Sequence, residues 1–164
     1  MHLITIRPTK VLARRLGITV PPVPPPVSNR VADWCAHEFR FSRYRYLIFC
    51  NTASLCPVVM LATGVTDGEK LMMRMVGGLQ TCLRGGALEQ QFQQQILPAG
   101  PALQWAPIPD RSVLGSINEL VFLAKWDLAE RDDGPEGLSR RLAHTPMSAL
   151  GMNSPERVFP TLGR

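Results

Sequence analysis

The sequence predicts an α+β domain: a small mixed or antiparallel sheet that includes a hairpin, with helices packed mainly on one face. Three observations carry this. Residues 44–50 are rich in aromatic and branched side chains and meet a second extended run, 55–62, across the turn Asn51-Thr52-Ala53-Ser54, which demands antiparallel pairing. Val113, Ile117, Leu120, Val121, Ala124 and Leu128 recur with the period of an amphipathic helix. Strands and helices do not alternate often enough for a doubly wound sheet.

The elements follow in order. Residues 2–6 read as a strand, and a short helix runs from Pro8 or Thr9 to Leu16, with Gly17 as its stop. Pro21-Pro22-Val23-Pro24-Pro25-Pro26 is extended, and residues 21–28 are taken as a stiff spacer within the domain. A second helix is expected with Ser28 or Asn29 as cap, Val31, Trp34, Cys35 and Phe39 inward, and Asp33, His37 and Arg40 off that face. The hairpin comes next. Pro57 cannot donate to a ladder, so the returning strand lies on an edge or is interrupted there.

Thr66-Asp67-Gly68-Glu69 fits a capping box, followed by a buried stripe of Met72, Met75, Val76, Leu79, Cys82 and Leu83 that Gly85-Gly86 ends. A shorter helix points Leu88, Phe92 and Ile96 inward and its glutamines outward, ending at Pro98. Residues 103–108 make a last strand weakened by Pro107, and the long helix then starts at Asp110 or Ser112. A short helix over 135–142 completes the domain at about residue 150, and 151–164 is expected to be a loose tail.

A chain of 164 residues with 45% hydrophobic content suits one domain with a sizeable core. The formal charge of +5 comes chiefly from arginine, the residue suited to phosphate and carboxylate forks, yet the charges are dispersed along the sequence. No run has the length of a membrane span, and 3–6 is too short for a secretory core. Cys35, Cys50, Cys56 and Cys82 form no CxxC and no zinc spacing; Cys50 and Cys56 flank the turn, and the expected home is a reducing cytoplasm. Neither metal nor cofactor is implied. Nucleotide, metalloprotease and nucleophile-elbow motifs are absent, and His2, His37 and His144 share no local pattern.

The candidate site is the start of the long helix. Arg111, Asn118 and Lys125 recur every seven residues beside a helix N-terminus, with Ser112 in the first turn and Asp33 as an acid that could face Arg111 or Arg45 across a cleft. On the far side of that helix, Gly115, Glu119, Phe122 and Trp126 form a face expected to meet another element or a second copy of the chain, a homodimer through Phe122 and Trp126.

Thr9-Lys10-Val11-Leu12, Asp33-Trp34-Cys35-Ala36, Leu47-Ile48-Phe49-Cys50-Asn51, the run from Arg111 to Leu120, and Thr145-Pro146-Met147 occur in that order. Together they resemble an uncharacterised bacterial family, domain of unknown function 6933, from the first strand to about Met147. Cys35 stands where an aromatic residue is expected after Asp33-Trp34. The resemblance implies a cytoplasmic bacterial protein and no activity.

Two functions compete. One is a non-enzymatic binding or regulatory module with an anion or polar-group site built on Arg111, Ser112, Asn118, Lys125 and Asp33, its partner a nucleic acid or an acidic protein. The other is a small enzyme whose cleft gathers Arg111, Ser112, Asn118 and Asp33. Against both stands an architectural reading, in which Arg111 and Asn118 satisfy the carbonyls of a neighbouring loop.

Overall fold

A computed structural model describes residues 3–27, 29–86, 89–96, 102–131 and 133–162. Five strands form one mixed sheet in the order β4-β3-β2-β1-β5: β1 (Ile4–Pro8), β2 (Asp33–Phe41), β3 (Tyr44–Asn51), β4 (Pro57–Leu61) and β5 (Leu103–Trp105). β1 runs parallel to both β2 and β5, while β2–β3 and β3–β4 are antiparallel. The helices are α1 (Lys10–Leu16), α2 (Gly68–Leu83), α3 (Glu89–Gln91, continued by a π turn over Phe92–Ile96), α4 (Arg111–Glu130), α5 (Gly134–Ala143) and α6 (Pro155–Val158). The α+β class and the mixed sheet with its hairpin agree with the sequence reading. β4 is an edge strand, which is where Pro57 can sit without breaking a ladder. The expected strand start at His2, the Ser28 cap, Leu88 and the helix end at Pro98 lie outside the described residues.

Helices cover both faces of the sheet, not mainly one. Ile4, Ile6, Trp34, Ala36, Leu47, Phe49, Val58 and Met60 join one core with α1 and α2. Cys35, Phe39, Tyr46, Ile48, Cys50 and Val59 join a second core with α4 and α5. Inner strands that are apolar at successive positions cannot leave either side in water.

The same fact overturns the helix expected after Asn29. Only a single 3-10 turn, Arg30–Ala32, forms there, and residues 33–41 are β2. Trp34 and Cys35 are both fully buried but belong to opposite cores, so their apparent helical stripe is a strand filled on two sides. The tail expected to be loose is also ordered: α6 and a following 3-10 turn place Phe159 in the first core, edge-on to Trp34 with ring centroids 5.7 Å apart.

α2 presents Leu71, Met75, Leu79 and Leu83 to the core, with Met72, Val76 and Cys82 half-covered on its flank. It crosses the sheet closely. A Cβ on Gly78 would fall 1.6 Å from the Met60 methyl, so glycine permits this approach. Asp67, not Thr66, caps the helix, accepting from the Lys70 N–H at 2.9 Å.

Candidate functional site

β1 ends at Pro8 and turns through Thr9 into α1, whereas β5 ends at Trp105 and leads through residues 106–110 into α4. These two strands are adjacent and parallel, yet their helices leave to opposite sides. Leu12 and Leu16 of α1 enter the first core; Ile117 and Leu120 of α4 enter the second. Such a divergence opens a crevice beyond the carboxyl ends of the strands. Here it is a groove of about 990 Å³ between α1, the start of α4 and the proline segment.

A buried polar knot holds the groove's base. Arg7 donates to both Asp33 carboxylate oxygens at 2.8 and 3.1 Å, and its third nitrogen donates to the Pro107 carbonyl at 2.7 Å. Thr52 completes the Asp33 shell with a hydroxyl donated at 2.9 Å. β1, β2 and the loop entering α4 are thereby joined through one guanidinium. Asp110 then caps α4, accepting from the Val113 N–H at 2.9 Å, which settles the choice between Asp110 and Ser112.

The rim of the groove is cationic and its walls are apolar. Lys10, Arg14 and Arg111 line it, are exposed, and take part in no hydrogen bond or ion pair among the described residues. Asn118 lines it one α4 turn beyond Leu114 and is equally unengaged. Val11, Ile18, Val20, Pro21, Pro22 and Leu114 provide the walls. The proline segment is therefore part of the site and not only a spacer. On the floor, Thr9 Oγ1 lies 3.0 Å from His37 Nδ1. Thr9 stands at the N-cap of α1 without capping it, its hydroxyl turned to the histidine instead. Burial lowers the His37 pKa below its ordinary 6.5, Glu38 opposes this and Lys125 adds to it, so the ring is neutral at pH 7.

The five sequence candidates divide. Arg111 and Asn118 meet in the groove. Lys125 is exposed farther along α4, where its charge reaches His37. Ser112 is exposed outside the lining, and its carbonyl accepts from the Ser116 hydroxyl at 3.1 Å. Asp33 is 6% exposed and engaged with Arg7 and Thr52, so it faces neither Arg111 nor Arg45. Among the described residues, no loop carbonyl is bonded to the Arg111 or Asn118 side chain, whereas the architectural reading requires one. Sequence reasoning missed Lys10, Arg14, His37 and Thr9. The Arg7-Pro8-Thr9-Lys10 stretch was the available signal, a strand end running directly into a cationic helix start.

Elsewhere, burial pushes the Cys35 and Cys56 thiols up to about 12, and Cys50 and Cys82 are also raised. Among the described residues no group of His, Cys, Asp or Glu is arranged to hold a metal, and no helix is long and apolar enough to cross a membrane. Phe122 and Trp126 remain 71% and 63% exposed on the outer side of α4. No curated protein and no solved structure matches the chain. One family model does, over residues 5–158, and on that match the chain belongs to the domain of unknown function family DUF6933.

Proposed function

We propose that this is a binding or regulatory module of the bacterial cytoplasm whose groove takes a small organic anion with an apolar body. One observation carries the reading. Three cations, Lys10, Arg14 and Arg111, with no ion pair among the described residues, outnumber the single carboxylate, Asp110, around an apolar crevice at the point where α1 and α4 diverge from adjacent parallel strands. Asp110 already caps the N-terminus of α4 at this rim, so the attraction for an anion rests on the three cationic side chains. The anionic head of the ligand sits among the cations and the Asn118 amide, and its body lies along Pro21, Pro22, Val20 and Leu114. Thr9 and neutral His37 offer a hydroxyl and a ring nitrogen at the floor, which favours a ligand with one further polar group there.

The enzyme reading built on Asp33 and Ser112 has less support, because neither side chain lines the groove and Asp33 is already spent on Arg7 and Thr52.

The test uses 8-anilinonaphthalene-1-sulfonate, a sulfonate on an apolar ring system, followed by fluorescence. Saturable binding by the full chain should weaken about tenfold or more in Arg111→Glu and in Lys10→Glu, since each replaces an attraction by a repulsion at short range. Phe122→Ser and Trp126→Ser should leave it unchanged. If the α4 outer-face variants abolish binding while the groove variants do not, the groove is not the site.

A further inference from the structure

The hairpin joining β2 to β3 carries a second cationic surface, next to the groove but not part of it. Arg40 and Arg45 are directly opposite in the antiparallel register, both on the face that α1 covers, and Arg43 stands in the turn between the strands. Like charges placed opposite one another repel, and the single Glu38 carboxylate beside them offsets only part of this. α1 extends the surface: Arg15 joins Arg40, Glu38 and Val11 in a small cleft, and Val11 also lines the groove that holds Lys10 and Arg14. Arg15 and Arg45 share the Glu38 carboxylate, while Lys10, Arg14, Arg40 and Arg43 have no ion pair among the described residues. With the neighbouring groove included, seven cations stand here against two carboxylates, Glu38 and Asp110. The excess is five, equal to the formal +5 of the whole chain. At the tip Tyr44 is 46% exposed, with the Arg43 guanidinium 5.3 Å from its ring centroid.

We propose that this end of the molecule docks a single strand of nucleic acid. The phosphates of a single strand are attracted by the unpaired Arg40 and Arg43 and by the Arg15 and Arg45 pair that shares one carboxylate, and the face of Tyr44 not covered by Arg43 gives a base a ring to stack on. Arg40 and Arg43 are the principal phosphate contacts, and Tyr44 favours an unstacked strand over a duplex. Arg40 and Arg43 lie outside the groove lining, so variants at these two positions leave the groove's own side chains in place.

Fluorescence anisotropy with a fluorescein-labelled oligothymidylate of about 15 nucleotides decides the matter. The full chain should bind at about 50 mM salt, and log affinity should fall linearly with log salt at a slope of roughly 0.7 per phosphate neutralised. Arg40→Glu with Arg43→Glu should weaken binding by about tenfold or more and flatten the salt slope by roughly the two phosphates lost. Tyr44→Ala should weaken it roughly tenfold without changing the slope. Arg40→Gln with Arg43→Gln serves as a milder version, and circular dichroism checks that each variant is folded. Anilinonaphthalene sulfonate binding should persist in all of them, which separates this surface from the groove. Absence of binding at low salt, affinity unchanged by the arginine variants, or equal binding of a polyglutamate of similar length would each overturn the proposal. Unchanged affinity in Tyr44→Ala, or equal affinity for a duplex, would overturn the single-strand assignment.

Discussion

Arg7 and Arg111 show how one residue type takes opposite parts in this molecule. Arg7 is 7% exposed and spends its donors on Asp33 and Pro107, whereas Arg111 is exposed and spends none. Arg7→Ala strands a buried carboxylate and should cost about 3–5 kcal/mol. Arg111→Ala and Asn118→Ala should each stay within about 0.5 kcal/mol of the parent, as Lys125→Ala should, because no internal partner is lost. Denaturant melts of the four variants check this, and a loss above about 1 kcal/mol in Arg111→Ala would return that residue to an architectural role. His37 makes a pH prediction. Its folded pKa is depressed, so the unfolded chain binds the extra proton first as pH falls. The contribution of the neutral ring to stability is complete above its ordinary 6.5 and is lost as pH drops toward the folded value. His37→Gln should therefore flatten the acid side of the stability profile as the pH falls below the ordinary 6.5 of histidine. An unchanged slope would mean that the ring does not titrate differently on folding.

Elements were legible where burial is one-sided. α4 carries a clean helical period with an agreeing cap, whereas the β3–β4 hairpin, buried on both faces like β2, was legible from its branched and aromatic content and the turn residues between its strands. β2 was not legible. It lies between two covered faces, so Trp34, Cys35, Ala36 and Phe39 are all apolar, and a run without alternation carries no strand period. That misreading also hid the site. With β2 taken as a helix, Asp33 and His37 belong to one helical flank; in the sheet, Asp33 is buried under Arg7 and His37 reaches Thr9 beyond the end of β1. Half of the site, Arg111 and Asn118, was visible because a single helix presents both. The other half, Lys10 and Arg14, needed the spatial meeting of α1 with α4, which no local pattern encodes. The tail was misjudged because its Gly, Asn, Ser and Pro content masks one anchor. Phe159 is fully buried against Trp34, so Phe159→Ala should cost about 3–5 kcal/mol. A thermal melt indistinguishable from the parent would mean that the tail is not docked.

At the scale of the whole molecule, the sheet order decides where function can reside. β1 is the strand at which parallel pairing on both sides meets helices of opposite disposition, and the groove opens at its end. Outside the groove lining, Arg141 of α5 bridges Asp127 of α4 and Asp133 at 2.6–2.8 Å. Charges there are paired, while Lys10, Arg14 and Arg111 around the groove are unpaired among the described residues. The most direct measurement is therefore a ¹⁵N-resolved NMR titration of the chain with anilinonaphthalene sulfonate, reading which backbone amides shift. Binding in the groove should move Thr9, Lys10, Val11, His37, Arg111 and Leu114 together and leave the α5 amides in place. A saturating titration whose shifts gather instead around Phe122 and Trp126, with those groove amides still, would contradict a ligand site at the divergence of α1 and α4.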